Sequence, residues 1–138
     1  MILIVDDNDD LRLALAMLMK LEGFETRQAA SGRAALEQMR AVRPDCVILD
    51  FNMPGMDGLE VLRIVREDPT LAATRVILFS AQGEGLRARA MAGGADAFVQ
   101  KGSLDFADLC RELLRHCQPT LAPAPLNPPA PAARRSIG

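Results

Sequence analysis

Polar side chains that could do chemistry stand at the ends of four apolar segments of this chain. They are three carboxylates, a hydroxyl group and an amine: Asp6 and Asp7 after one segment, then Asp50, Ser80 and Lys101 after the other three. Three carboxylates in one pocket repel one another and need a compensating cation, and Mg²⁺ is a hard ion that takes oxygen ligands. With a metal present, the pocket can hold a phosphoryl group, to which Lys101 supplies a positive charge and Ser80 a hydrogen bond. Asp50 is then placed to attack phosphorus and form an aspartyl-phosphate.

The apolar segments alternate with amphipathic ones, and this alternation predicts five βα units. Continuous, β-branched runs predict strands buried on both faces, and one partly polar run predicts an edge strand. The predicted strands cover residues 2–5, 25–29, 46–49, 75–79 and 97–100. Strands that alternate with helices form a parallel sheet, and ligands bind outside the carboxyl ends of its strands. The fold class is therefore α/β, with the polar residues expected at one edge of the sheet.

Capping residues indicate where the helices begin and end. Asp9 or Asp10 can cap the first helix, Ser31 can cap the second, and Ser103 can cap the last. Gly23 follows the predicted end of the first helix. Acids are common at helix starts, so the acidic run after the first strand could on its own be no more than a cap.

Charge and composition exclude several classes of function. Residues 1–118 carry a net charge of about −4, because two of the sixteen basic residues and none of the eighteen acids lie beyond them. A nucleic-acid-binding domain usually has a basic surplus, so we expect no nucleic-acid binding by this chain itself. No segment approaches the roughly 18 apolar residues that span a membrane, and no leader peptide is recognisable. The three cysteines lack metal-ligand spacing and indicate buried free thiols in a reducing compartment, which predicts a cytoplasmic protein.

The composition changes after residue 118. Six of the nine prolines lie between residues 119 and 131, interleaved with alanine. Such a segment forms neither helix nor sheet. We therefore expect one domain of residues 1–118, followed by a Pro/Ala-rich linker or disordered tail of residues 119–138.

Four motifs carry a resemblance to a known family. They are Ile-Val-Asp6-Asp7, Ile-Leu-Asp50-Phe-Asn-Met-Pro54-Gly-Met-Asp57-Gly58, Leu-Phe-Ser80-Ala and Phe98-Val-Gln-Lys101. Each motif alone is weak, but all four in order on four different strands make a strong signal. Over residues 1–118 the chain resembles the response-regulator receiver domains of two-component signal transduction. The resemblance implies a flavodoxin-like, doubly wound (βα)5 fold with a parallel sheet in the order 2-1-3-4-5.

The resemblance also implies roles for the site residues. Asp50 accepts a phosphoryl group from a histidine kinase or a histidine phosphotransfer protein. Asp7 and Asp50 bind Mg²⁺ directly, together with the backbone carbonyl of Asn52, and Asp6 binds the ion through a water molecule. Asn52 and Gln82 flank the phosphoryl group and tune its hydrolysis. We therefore expect a signalling module and not an enzyme.

A conformational switch is implied as well. Ser80 moves toward the phosphoryl group and Phe98 turns inward. The face formed by the fourth helix, the fifth strand and the fifth helix then changes shape for a downstream protein partner. An aromatic side chain that never moves is an equally good interpretation of Phe98. A homodimer of the phosphorylated form stays open, as do a stand-alone receiver, a relay intermediate and a receiver within a longer protein, which the linker slightly favours.

Two residues depart from the family pattern. Lys101 is followed by Gly102, where the family typically has a proline after a cis peptide bond. A cis bond before a non-proline residue costs roughly 2.5–4 kcal/mol, so we expect this bond to be trans or held cis under strain. Phe98 stands where many members have tyrosine, so a switch there lacks a hydroxyl group.

Two other functions fit parts of the pattern. A haloacid-dehalogenase-like phosphatase also uses an aspartate nucleophile after a strand, and Asp50-Phe-Asn52 loosely resembles its first motif. Its acidic pair follows the lysine, whereas here the acidic pair comes first. A degenerate receiver would bind partners without phosphorylation, and Gly102 slightly favours it. Mg²⁺ binding without stable phosphorylation would identify that second alternative.

Overall fold

The computed structural model describes residues 1–101 and 106–117, in which strands and helices alternate. The strands are β1 (Ile2–Val5), β2 (Thr26–Ala29), β3 (Cys46–Leu49), β4 (Arg75–Ser80) and β5 (Ala97–Gln100). The helices are α1 (Asp9–Leu21), α2 (Gly32–Val42), α3 (Gly58–Glu67), α4 (Glu84–Ala92) and α5 (Phe106–His116). The strands agree with the predicted ones to within one residue, because β2 begins at Thr26 and β4 includes Ser80.

All five strands are parallel, in the order β2-β1-β3-β4-β5. This confirms the predicted doubly wound α/β fold and the edge position of β2. β1 and β3 are buried along their whole length because helices cover both faces of the sheet. Val5 pairs with Leu49 at the end of these two strands, so the next residues, Asp6 and Asp50, leave the sheet side by side.

Two apolar cores lie on the two faces of the sheet. Successive side chains of a strand point to opposite faces, so β1 contributes Leu3 and Val5 to one core and Ile2 and Ile4 to the other. The first core is closed by α2, α3 and α4, and the second by α1 and α5. Because helices pack on both faces of the sheet, the ends of the strands are held in place, and so are the polar residues that follow them.

The helix caps match the sequence prediction at α2 and differ at α1. Ser31 caps α2 by accepting a hydrogen bond from the backbone three residues along. The cap of α1 is Asn8, so the prediction of Asp9 or Asp10 is wrong. The turn after β1 holds Asn8 in the extended conformation that a cap requires, while both acids already lie in the first helical turn. Gly23 follows the helix with a positive φ of 95°, as its position predicts.

The start of α3 packs against the backbone at the end of β3. A Cβ atom on Gly58 would lie 2.5 Å from the carbonyl oxygen of Asp50 and 2.9 Å from Cα of Phe51. The Gly58 N–H donates to the Phe51 carbonyl at 2.9 Å. Asp57 and Glu60 form a reciprocal capping box at this helix start. Glycine is therefore required for the close approach that fixes the backbone of Asp50.

Three sequence predictions lie outside the described residues. They are the cap at Ser103, the geometry of the Lys101–Gly102 bond, and the Pro/Ala-rich segment 119–138. Within the ranges that the structure describes, no helix has both the length and the apolar character needed to cross a membrane.

Candidate functional site

The carboxyl ends of β1, β3, β4 and β5 meet at one edge of the sheet and bring the predicted side chains together. The Asp50 N–H donates to the Val5 carbonyl at 2.9 Å, which ties the end of β3 to β1. The Lys101 N–H donates to the Ser80 carbonyl at 2.7 Å, which ties the end of β5 to β4. Four separate chain segments therefore deliver their polar residues to a single pocket.

Lys101 bridges two carboxylates of this pocket. Its Nζ atom lies 3.1 Å from Oδ2 of Asp6 and 3.1 Å from Oδ1 of Asp50. The ammonium group also lies 5.4 Å from the centre of the Phe79 ring, within cation–π range. One cation is therefore shared between two buried acids and is held directly beside Asp50.

Asp6, Asp7 and Asp50 form an acidic cluster. One carboxylate oxygen from each lies within 4.8 Å of the others. Asp6 and Asp50 are 2% and 5% exposed, whereas Asp7 is exposed to solvent. Burial raises the pKa of Asp50, the charge of Asp6 raises it further, and Lys101 opposes both effects. An all-oxygen donor set with one shared ammonium group fits a hard divalent cation such as Mg²⁺.

Arg12 organises the acidic turn and was missed from the sequence. Its Nη1 donates to the backbone carbonyl of Asp6 at 2.8 Å, and its Nε donates to Oε1 of Gln28 at 3.1 Å. It also pairs with Asp9 at 2.7 Å. Asp6 itself accepts a hydrogen bond from the Asn8 N–H at 2.9 Å through its Oδ1. The i,i+3 spacing of Asp9 and Arg12 was the only signal that could have indicated this role.

Ser80 is the last residue of β4, and the amide side chains of Asn52 and Gln82 lie on the loops that follow β3 and β4. Ser80 is fully buried, and its Oγ accepts a hydrogen bond from the Gln82 N–H at 3.2 Å. The Gln82 side-chain amide donates to Oδ1 of Asn52 at 3.4 Å. The loops after β3 and β4 are thus joined next to Asp50, by the two residues that the sequence placed there.

Phe98 lies on the face of β5 that packs into the apolar core, and it contacts α4. It is 5% exposed, and the Arg87 guanidinium carbon lies 4.9 Å from the centre of its ring. Arg87 Nη1 also donates to the Phe98 carbonyl at 3.2 Å. Sequence reasoning missed Arg87, because a single arginine on a short helix gives no sign of what it contacts. The inward side chain is common to both interpretations of Phe98.

A parallel sheet in this order, with an acidic cluster at the ends of β1 and β3, is the arrangement of a CheY-like receiver. The chain belongs to the response regulator receiver domain family, whose profile matches residues 2–114. One relative is sporulation initiation phosphotransferase F of Bacillus subtilis strain 168, with 44% identity over 84 residues, which are 60% of this chain and 65% of that protein.

Solved structures of two similar proteins share the fold. The chemotaxis protein CheY4 of Vibrio cholerae gives a TM-score of 0.77 at 28% identity, over 83% of this chain and 96% of that one. The response regulator TrrA of Thermotoga maritima, solved in complex with Mg²⁺–BeF, gives a TM-score of 0.74 at 33% identity, over 83% of this chain and 96% of that one. This chain matches only part of the length of its curated relatives: the matched segments span 18%, 48% and 65% of three of them. Receiver domains are generally signalling modules, and this one keeps their acidic pocket.

Proposed function

We propose that this domain accepts a phosphoryl group on Asp50 from the phosphohistidine of a histidine kinase or histidine phosphotransfer protein. One observation carries the proposal: the Asp50 carboxylate is buried, lies beside Asp6 and Asp7, and is bound to Lys101 at 3.1 Å. The pocket therefore combines a nucleophile, a metal-binding cluster and a cation that can follow the transferred charge. The relative named as a phosphotransferase supports this chemistry.

Mg²⁺ is the metal we assign to the cluster. Asp7 and Asp50 would bind it directly with the backbone carbonyl of Asn52, and Asp6 would bind it through water. The bound ion supplies positive charge to the phosphoryl oxygens. The Mg²⁺–BeF complex of the Thermotoga maritima protein supports the choice of this ion.

The transfer exchanges one bond and gives Lys101 a new partner. An oxygen of Asp50 attacks phosphorus, a P–O bond forms, and the P–N bond to the donor imidazole breaks, with the electron pair leaving on nitrogen. Lys101 then pairs with a phosphoryl oxygen in place of the Asp50 carboxylate. Its Nζ lies 3.1 Å from Asp50, which supports this exchange of partners.

Phosphorylation would change a surface through Ser80 and Phe98. Ser80 Oγ is bound to the Gln82 N–H, so its contact with a phosphoryl oxygen would pull on the loop that leads into α4. α4 is joined to β5 by Arg87, which contacts both the ring and the carbonyl of Phe98. The phosphoryl group can shift this equilibrium because it makes contacts in only one of the two states. A downstream protein would read the face of α4, β5 and α5.

We also propose the domain boundary and the location. Residues 1–118 would form the receiver, and residues 119–138 would form the linker or tail. The three free cysteines fit a reducing compartment, which favours the cytoplasm.

The proposal is tested by intact-mass spectrometry after incubation with Mg²⁺ and either acetyl phosphate or a phosphorylated histidine phosphotransfer domain. We expect the wild type and the control Asp10→Asn to gain one phosphoryl group. Asp10 is an exposed acid in the first turn of α1. Asp50→Asn, and wild type without Mg²⁺, should gain none. If neither donor labels the wild type, a phosphorylation-independent binding module becomes the better account. Size-exclusion chromatography of the labelled protein tests for a homodimer.

A further inference from the structure

Helix α1 carries an apolar stripe on the side that faces away from the sheet. Leu13, Met17 and Leu21 are 54%, 63% and 76% exposed, and they are three of the five large apolar side chains that the described part of the chain exposes. Their spacing of four residues puts them on one face of the helix. The opposite face of α1 packs into the second core. Exposed apolar side chains that are contiguous mark a contact surface, whereas scattered ones do not.

The flank of α1 between this stripe and the core is also apolar. Ala14 is exposed beside the stripe, and Leu11 and Leu18 are half-buried against the second core. The exposed charged residues of α1 lie only at its ends, with Asp9 and Asp10 in the first turn and Lys20 in the last. The middle of the exposed face is therefore free of charge and can be buried without desolvating an ion.

The charges at the two ends of the stripe have opposite signs. Asp9 is paired with Arg12 at 2.7 Å. Within the residues that the structure describes, neither Asp10 nor Lys20 has an ion-pair partner. These two side chains lie about 15 Å apart along the same helix, so they do not reach each other. An acid at one end and a cation at the other are complementary to the same helix in the reverse direction.

The spacing of these residues is symmetric about Leu15. Leu13 and Met17 are each two residues from it, and Asp10 and Lys20 are each five residues from it. A second copy of α1, antiparallel to the first and related by a twofold axis beside Leu15, therefore brings Leu13 against Met17 of the partner subunit. The same axis brings Asp10 level with Lys20 of the partner subunit. Both copies then use the same patch, as a twofold dimer requires.

We propose that two copies of this chain associate through α1 in an antiparallel homodimer, which buries the apolar stripe and pairs Asp10 with Lys20 of the partner subunit. The contact involves neither Asp50 nor the face of α4, β5 and α5, so it needs no phosphoryl group. A single helix face buries less area than a standard interface. We therefore expect a weak dimer, with a dissociation constant on the order of 10–100 μM.

Sedimentation velocity of the unphosphorylated full chain tests the proposal. Over about 5–500 μM at physiological ionic strength, the average mass should rise from that of one chain toward that of two. A monomer over the whole range would overturn the proposal and would leave the stripe to a different protein. The measurement uses neither Mg²⁺ nor a phosphodonor, so its failure is separate from a failure of phosphorylation at Asp50.

A pair of methionine variants identifies the face. Met17→Glu places a charge in the middle of the stripe and should weaken the dimer at least about tenfold. The matched control is Met91→Glu, which changes an exposed methionine on α4 and should leave the dissociation constant unchanged. Circular dichroism checks that both variants fold. A dimer that responds to Met91→Glu, or that does not respond to Met17→Glu, uses another face and contradicts the proposal.

A charge exchange tests the antiparallel orientation. Lys20→Glu and Asp10→Lys each place like charges opposite each other in the homodimer, and each should weaken it about threefold to tenfold. In an equimolar mixture of the two variants, the mixed dimer has an opposite charge at both ends. We therefore expect the mixture to associate more tightly than either variant alone. A mixture that associates no more tightly than the separate variants would refute the antiparallel contact.

Discussion

Removing the positive charge of Lys101 should destabilise the domain. Lys101→Met keeps an apolar side chain against Phe79 but leaves Asp6 and Asp50 buried side by side without their shared cation. Removing one partner of a buried ion pair costs roughly 3–5 kcal/mol. Lys101 is 21% exposed, so solvent screens part of the interaction, and we expect a loss of about 2–3 kcal/mol near neutral pH.

The loss should depend on pH in a defined direction. Burial and Asp6 already raise the pKa of Asp50, and Lys101 limits that rise. Without Lys101, this pKa rises further. A carboxyl group whose folded pKa is above its unfolded pKa contributes its full stability below the unfolded value, and this stability is lost as pH rises through the folded value. The deficit of Lys101→Met should therefore be largest near neutral pH and should shrink under mildly acidic conditions.

Urea unfolding monitored by circular dichroism measures this deficit. The matched control is Arg63→Met, which removes an exposed ion pair with Glu67 at 3.0 Å and should cost less than about 0.5 kcal/mol. Saturating Mg²⁺ should restore part of the stability of Lys101→Met, because a ligand that binds only the folded state stabilises it. Equal losses in both variants, or a loss that is the same at neutral and mildly acidic pH, would refute the reasoning.

Three further predictions follow from the same pocket. Asp50→Asn should raise the free energy of unfolding above that of the wild type, and by more near neutral pH than under mildly acidic conditions. The reason is that the pKa of Asp50 is raised, so its buried charge beside Asp6 is unfavourable at neutral pH; urea midpoints of both proteins at the two pH values measure this. Gly58→Ala should cost about 1–3 kcal/mol and slow phosphorylation, because its Cβ would meet the Asp50 carbonyl at 2.5 Å. The control Gly85→Ala, with no atom within 4 Å of the new Cβ, should stabilise α4 by about 0.5–1 kcal/mol. Asp7→Asn should weaken Mg²⁺ binding at least about tenfold in calorimetry while leaving stability almost unchanged, since Asp7 is exposed; unchanged affinity would remove Asp7 from the ligand set.

The order of the strands and helices and the position of the site could be predicted from the sequence. Continuous apolar runs such as Cys46–Leu49 identify buried parallel strands, and a parallel sheet brings the residues after its strands to one edge. For this reason the sequence alone predicts that Asp6, Asp50 and Lys101 lie together. The partly polar β2 could likewise be placed at an edge.

Only the tertiary structure decided which side chains contact one another. It divides Lys101 equally between Asp6 and Asp50, and it gives the cap of α1 to Asn8. Sequence periodicity determines which face of an element is buried, because burial depends on residue type and spacing. Contacts between particular polar atoms depend on how the elements pack and on the reach of each side chain, and neither is encoded in local spacing.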